Sequence, residues 1–362
     1  MRFLFALDRY QPSRGGAERY LRDLCGALAE RGHEVTVAAL EAEEDPFSAK
    51  RIVEAPTHPR LAREIAFSRA VARFKREAEF DRVVGFRHVT DVDRYQPHGG
   101  LFIDALKGAV RSQTTSPVGR RCLLLRKLMS PKNLFFLHAD RALFHRCPGL
   151  AVAAVSGMTA RSIESRYRAC RPRVSIIPNG VVPSRLTDAG EKRALRLRYG
   201  LPPDGPLALF AAHNFRLKGL RHAVKGIALH GRVRLAVAGR GRAPAGDRVH
   251  FLGEQDDMNP LFNMADVLLH PTFYDPCSLV VLEALGAGVP VITTRYNGAA
   301  ELMEGTGAGK VIDEPQDHQA IASALEEILD QHRVFQEKAL SLGARCDFHT
   351  HAQRMEAWLT LA

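Results

Sequence analysis

MRFLFALDRYQPSRGGAERYLRDLCGALAERGHEVTVAAL, residues 1–40, decides the fold class. Arg2–Leu7 is an apolar run of strand length, and Tyr10–Gly16 is a loop punctuated by Pro and Gly. Ala17–Arg31 places Tyr20, Leu21, Leu24 and Leu28 at helical spacing, and Gly32 stops the helix. Glu34–Leu40 is a second strand. Strand, loop, helix and strand in that order predict a parallel sheet with a crossover helix, an α/β domain.

The pattern continues outward. Arg82–Phe86, Ala151–Val155 and Val174–Ile177 extend the first series. The stretch from Pro178-Asn179-Gly180 to Gly190 has no period and reads as a linker. Beyond it, strands are expected at Leu207–Ala212, Arg234–Ala238, Val249–Leu252, Val267–His270, Pro290–Thr293 and Lys310–Ile312. Helices are expected near Lys218–Leu229, Met258–Met264, Ser278–Leu285 and Gln316–Leu329. The reading is two Rossmann-like, doubly wound domains, residues 1–177 and 178–347, with a last helix near 348–362 expected to return to the first. In such folds the sites lie at the carboxyl ends of strands and between domains.

Composition excludes several classes. With 362 residues, 46% hydrophobic and 25% charged, the chain has a full globular core and is neither disordered nor collagenous. No window of about 18 uncharged apolar residues offers a membrane span, and the apolar start is interrupted at Asp8; the expectation is a cytoplasmic protein. The six cysteines are far apart and show neither zinc nor disulfide spacing. Charge is lopsided: residues 1–177 carry 31 basic and 19 acidic side chains, residues 178–362 carry 20 and 21. A positive first half predicts an anionic partner, whether nucleic acid, membrane surface or phosphorylated substrate.

Two loops carry chemistry. Gly15-Gly16 lies between the first strand and helix, where missing Cβ atoms and free helix-end N–H groups suit a diphosphate or sugar oxygen; a plain tight turn would use the same residues. The segment His270-Pro-Thr-Phe-Tyr-Asp275-Pro-Cys-Ser278-Leu279-Val280-Val-Leu-Glu283 sets one carboxylate in a loop and another on the adjoining helix. Between them the amides of Ser278, Leu279 and Val280 are expected to be open to phosphate or carbohydrate oxygens. Taken alone, Glu283 on an apolar helix could equally be half of a structural salt bridge.

The segment resembles the carboxylate-x7-Glu signature of the GT-B glycosyltransferases of family 4. The resemblance extends to the Gly15-Gly16 loop, Arg31-Gly32-His33-Glu34-Val35, Ile176-Ile177-Pro178-Asn179-Gly180-Val181 and Asn297-Gly298-Ala299-Ala300-Glu301-Leu302. It implies two Rossmann-like domains facing across a cleft and a retaining hexosyl transfer from a nucleotide sugar, without metal or other cofactor. Asp275 and the 278–280 amides then meet the sugar, Glu283 the ribose, and Gly15 and Gly16 the diphosphate and acceptor side. This chain departs from the pattern: Asp275 replaces the usual Glu, Ser278 a common Gly, and His213 the Arg of an Arg-x4-Lys pair that ends at Lys218. Arg216 is expected to supply the missing charge beside Lys218, because a departing nucleoside diphosphate needs nearby cations. His98, in Tyr95-Gln96-Pro97-His98, is expected to touch the sugar from the first domain.

Lys107–Arg146 holds nine cations against the single acid Asp140, interleaved with Leu123-Leu124-Leu125 and Leu134-Phe135-Phe136-Leu137. That mixture predicts an interfacial element at an anionic membrane surface; a core helix with a solvated basic face is the alternative. Its order, after Arg82-Val83-Val84-Gly85-Phe86, resembles the lipopolysaccharide core glucosyltransferase I group, which implies a UDP-glucose donor, a lipid-linked or phosphorylated glycan acceptor, and a place on the cytoplasmic face of the inner membrane. Asp91-Val92-Asp93 mimics a D-x-D metal motif that this fold does not need. Gly239-Arg240-Gly241 lacks the third glycine of a dinucleotide fingerprint. An epimerase of the same fold and a basic nucleic-acid-binding protein are the rival readings; one Trp in the whole chain offers little base stacking, and no nucleic-acid partner is expected.

Overall fold

The computed structural model describes residues 1–13, 15–77, 79–184, 187–242 and 246–361. The chain forms two compact units: one of Met1–Val110, Thr114–Pro178 and His349–Ala362, the other of Arg111–Gln113 and Asn179–Phe348. Each is built on one wholly parallel sheet.

In the first unit the strands lie in the order Ala49–Ile52, Glu34–Ala39, Arg2–Ala6, Arg82–Gly85, Arg94–Tyr95, Ala151–Ala154, Arg173–Ile176. The opening segment behaves as its periodicity demands. Arg2–Ala6 is buried from Phe3 onward, and helix Gly16–Glu30 buries Tyr20, Leu21, Leu24 and Leu28. Helices Arg60–Arg76, Pro131–Arg146 and Gly157–Tyr167 bring Phe67, Val71, Phe74, Leu143, Phe144 and Ile163 onto the sheet face formed by Leu4, Ala38, Val83 and Val152. The final helix, Phe348–Thr360, belongs to this unit from His349 on. It buries Met355 and Trp358, and Glu356 binds His33 at 2.9 Å and Arg31 at 3.2 Å.

In the second unit the order is Val249–Gly253, Arg234–Ala238, Leu207–Ala211, Val267–His270, Val291–Thr294, Gly309–Ile312. Its inner strands, from Arg234–Ala238 to Val291–Thr294, are buried almost throughout because both faces are covered. Helices Leu220–His230 and His318–Asp330 pack Ala223, Ile227, Ile321, Leu325 and Ile328 against Phe210, Leu235 and Leu269. The expected linker ends early: Asp188 caps a helix at Ala189–Arg198 by accepting from the amides of Gly190 and Glu191.

Sequence periodicity missed two short strands. Ala49–Ile52 is a half-exposed edge strand with no apolar alternation. Arg94–Tyr95 is too short to show a period. Pro117–Leu128 lies within the basic stretch Lys107–Arg146 and is helical, and it buries no residue.

Candidate active site

Both sheets reverse their winding beside their first strand. In the second unit the reversal falls between Leu207–Ala211 and Val267–His270, which are neighbours although other elements separate them in the chain. Loops leaving such a point diverge and leave room for a ligand at the carboxyl ends of the strands. The two loops here are Ala212–Gly219 and Pro271–Ser278, which hold the residues singled out above.

Lys218 and Asp275 meet at this point. Nζ of Lys218 lies 2.5 Å from Oδ2 of Asp275 and donates to the Tyr274 carbonyl at 3.2 Å. The backbones lock as well, since the Phe273 amide donates to Leu217 O at 2.9 Å. Gly219 turns the chain with φ of 81°, and a Cβ there would lie 2.1 Å from Pro271 O. Only glycine allows the lysine loop to come this close to the aspartate loop.

Burial by itself would raise the Asp275 pKa, but the Lys218 ammonium and His270 outweigh it and hold the carboxyl well below the usual range. Asp275 is therefore a carboxylate at neutral pH. His270, the last residue of its strand, is 1% exposed and presents Nε2 at 3.6 Å from the same Oδ2. Burial lowers the His270 pKa despite that neighbour, so the ring is neutral. His270 is a partner that sequence reading missed, because nothing local marks a strand-terminal His as facing a carboxylate five residues on.

A third loop secures the first two. The Asp275 amide donates to Tyr296 O at 2.9 Å, and the Gly298 amide donates to Asp275 O at 2.8 Å. Asn297, 1% exposed, accepts from the amides of Ser278 at 3.2 Å and Ala299 at 3.1 Å and donates to Thr293 Oγ1 at 3.1 Å. This corrects the expectation of three open amides: the Ser278 N–H is taken by Asn297. Those of Leu279 and Val280 have no hydrogen-bond acceptor among the described residues. Helix Leu279–Gly286 buries every residue but Leu279, Val280 and Glu283. Positions i, i+1 and i+4 share one helix face, so the second carboxylate and the two open amides lie on one stripe.

Further residues complete the surroundings. Arg216 is exposed and has no carboxylate partner among the described residues. His213 is exposed with Nδ1 3.9 Å from Glu254, which also binds Arg240 at 3.0 Å. Gly239 serves the second sheet instead of a dinucleotide: its Cβ would fall 1.8 Å from Ala212 O, so the Gly239-Arg240-Gly241 turn packs directly on the Lys218 loop.

In the first unit, Gly15 precedes helix Gly16–Glu30, and the Glu18 carboxylate fills the space a Gly15 Cβ would take, 2.0 Å from its position. An anion at that helix end competes with Glu18. His98 is half-buried and lies over the Tyr20 ring with centroids 4.9 Å apart. Asp91 and Asp93 both face Lys75, at 2.6 and 3.7 Å. No group of three or more His, Cys, Asp or Glu side chains is arranged to hold a metal among the described residues.

Residues 14–93 match the family described as Glycosyltransferase Family 4, and residues 206–331 that described as Glycosyl transferases group 1. The chain is 25% identical to lipopolysaccharide glucosyltransferase WaaG of Escherichia coli (strain K12), over 90% of this chain and 89% of that protein. It is 26% identical to a D-inositol 3-phosphate glycosyltransferase of Pseudarthrobacter chlorophenolicus, over 83% and 78%. The fold superposes on the WaaG crystal structure with a TM-score of 0.83 at 22% identity, covering 99% of this chain and 100% of that one. Anabaena HepE in complex with UDP and glucose gives 0.69 at 17% identity, covering both chains fully. Two doubly wound parallel units, a lysine–carboxylate pair at the second switch point and matches to the family in both halves make this chain a GT-B glycosyltransferase of family 4.

Proposed function

We propose that the chain transfers glucose from UDP-glucose to a lipid-linked glycan of the lipopolysaccharide-core kind, with retention of configuration. The observation that carries the donor side is the Lys218–Asp275 pair at the switch point of the second unit. An ammonium has three N–H groups; two of those on Lys218 are engaged by Asp275 and Tyr274 O, and the third serves the diphosphate. Arg216, with no carboxylate partner among the described residues, adds the second charge. Asp275 and the Leu279 and Val280 amides take sugar and phosphate oxygens, and Glu283 accepts the ribose hydroxyls. In the transfer the C1–O bond to UDP breaks, the acceptor hydroxyl oxygen bonds to C1 on the same face, and its proton passes to the departing phosphate oxygen. Metal is not required, because Lys218, Arg216 and the open amides supply the positive charge that phosphate departure needs. Glucose, UDP and the core acceptor are supported by similarity to WaaG and by neighbours whose structures hold UDP and glucose.

The acceptor reaches the first unit at a membrane surface. Val118, Leu125, Met129 and Leu134 are more than half exposed among Arg120, Arg121, Arg126, Lys127 and Lys132. No described helix is long and apolar enough to cross a bilayer; this exposed mixture of apolar and basic side chains supports interfacial attachment, and the cytoplasmic side follows the likeness to WaaG. Thermal shifts against UDP-, GDP- and ADP-glucose test the donor: UDP-glucose alone should stabilise, and preference for another nucleotide overturns the assignment. UDP release that needs an acceptor excludes an epimerase. Flotation with anionic vesicles should be lost in a charge-neutral variant of Lys107–Arg146; equal flotation refutes docking through this segment.

A further inference from the structure

The first sheet carries a second feature at the amino ends of its strands, away from the loops where its own switch point lies. Arg82, Arg94 and Arg173 are each the first residue of a strand. Register pairs Val84 with Arg94, Arg94 with Ala151, and Ala151 with Arg173. Paired residues of a parallel sheet share a face, and so do residues two apart on one strand. The three guanidiniums therefore leave the same face at the same end. With Arg146 they line a cavity of about 490 Å³, together with Lys75 and Asp93.

Among the described residues the cations lining the cavity outnumber its one acid, Asp93. Lys75 already holds Asp91 at 2.6 Å and Asp93 at 3.7 Å. Among the described residues the arginines hydrogen-bond to main-chain oxygens: Arg82 donates to Asp81 O at 2.9 Å and Leu361 O at 3.1 Å, Arg94 donates to Leu361 O, and Arg173 donates to Gly149 O at 3.1 Å. None of Arg82, Arg94, Arg146 and Arg173 has a carboxylate partner among the described residues. Arg94 is 4% exposed, and its Nε has no hydrogen-bond acceptor among them. Burial, with the Arg82 and Arg173 charges beside it, pulls the Arg94 pKa below its ordinary value. A buried cation among like charges is unfavourable until an anion joins it.

We propose that this cavity is a second anion site, built for the phosphate group of a soluble phosphorylated sugar or of a lipid headgroup, and separate from the donor site. Guanidinium forks match phosphate oxygens in pairs, and the volume suits a small ligand. Arg146 also lines an adjoining cavity of about 750 Å³ with Arg69 and Arg76, so a ligand with a second acidic group finds further cations.

Calorimetric titration of inorganic phosphate into the full chain, with UDP-glucose at saturation to fill the donor site, tests the proposal. Arg82→Ala/Arg173→Ala should weaken phosphate at least tenfold while the melting temperature and UDP-glucose affinity stay unchanged. Arg121→Ala/Arg126→Ala removes the same charge from helix Pro117–Leu128 and should leave phosphate affinity unchanged. Absence of saturable phosphate binding by the parent, or an equal loss in both double variants, overturns the site. Glycerol 3-phosphate and phosphatidic acid vesicles separate the sources: saturable binding of the first supports a soluble ligand, and vesicle flotation lost only in Arg82→Ala/Arg173→Ala supports a headgroup.

Discussion

Tyr20 Oη and His351 Nε2 are 2.8 Å apart, although 331 positions separate them in the chain. The proton positions in this pair follow from its neighbours. His351 Nδ1 lies 2.7 Å from Pro178 O, which can only accept, so Nδ1 carries the hydrogen. A neutral ring then accepts at Nε2, Tyr20 donates to it, and the tyrosine oxygen accepts from Gln96 Nε2 at 2.8 Å. One chain of hydrogen bonds thus ties the first helix, the Gln96 loop, the last helix and the end of the first unit at Pro178.

Burial lowers the His351 pKa to about 4, against about 6.5 for an unperturbed histidine. The unfolded chain therefore binds a proton at higher pH than the folded one does. Stability from this group is complete above about pH 6.5 and is lost as pH falls towards 4, by about 3 kcal/mol. Urea denaturation at pH 7 and pH 4.5 should show the decline, and His351→Phe should flatten it. An unchanged slope in that variant refutes the assignment.

Removing the Lys218 charge leaves the Asp275 carboxylate buried with only a neutral histidine nearby. Lys218→Met should lose about 3 kcal/mol of stability and about 10²-fold or more in turnover. Adding Asp275→Asn should recover most of the stability and none of the activity. Denaturation midpoints and UDP-release rates read the two effects separately.

Asn297→Ala strands the Ser278 and Ala299 amides without their acceptor. A cost of about 2–4 kcal/mol is expected. The loosened aspartate loop should raise KM for the nucleotide sugar, measured by initial rates at a temperature well below the new melting point.

Gly219→Ala drives a Cβ into Pro271 O and places alanine at φ of 81°. The Lys218 loop has to move off the Asp275 loop, so donor affinity should fall at least tenfold even where calorimetry shows the chain still folded. Retained affinity refutes the close approach.

Glu283→Gln keeps the side-chain shape on a half-exposed helix face and removes the charge. About tenfold weaker UDP-glucose binding is expected, since charge-assisted hydrogen bonds to hydroxyls are the stronger kind. An unchanged affinity by calorimetry would refute the ribose contact.

Residues 1–40 and the run from His270 to Ile292 made the two parallel sheets legible, because strand and helix periods are local properties of side-chain order. Asp275 and Glu283 could be picked out from their segment for the same reason, whereas Lys218 was marked by the family resemblance. Partnership was not legible. The amide of Ser278 is closed by Asn297, 19 positions away, and Asp275 is held by a lysine 57 positions before it. Three arginines with nothing in common in the sequence share an edge through strand register. Order along the chain specifies which elements form and which loops follow them. Which loops meet, and so which donors stay open and which charges stay unbalanced, depends on the winding of the sheet, because parallel pairing joins strands that are distant in sequence.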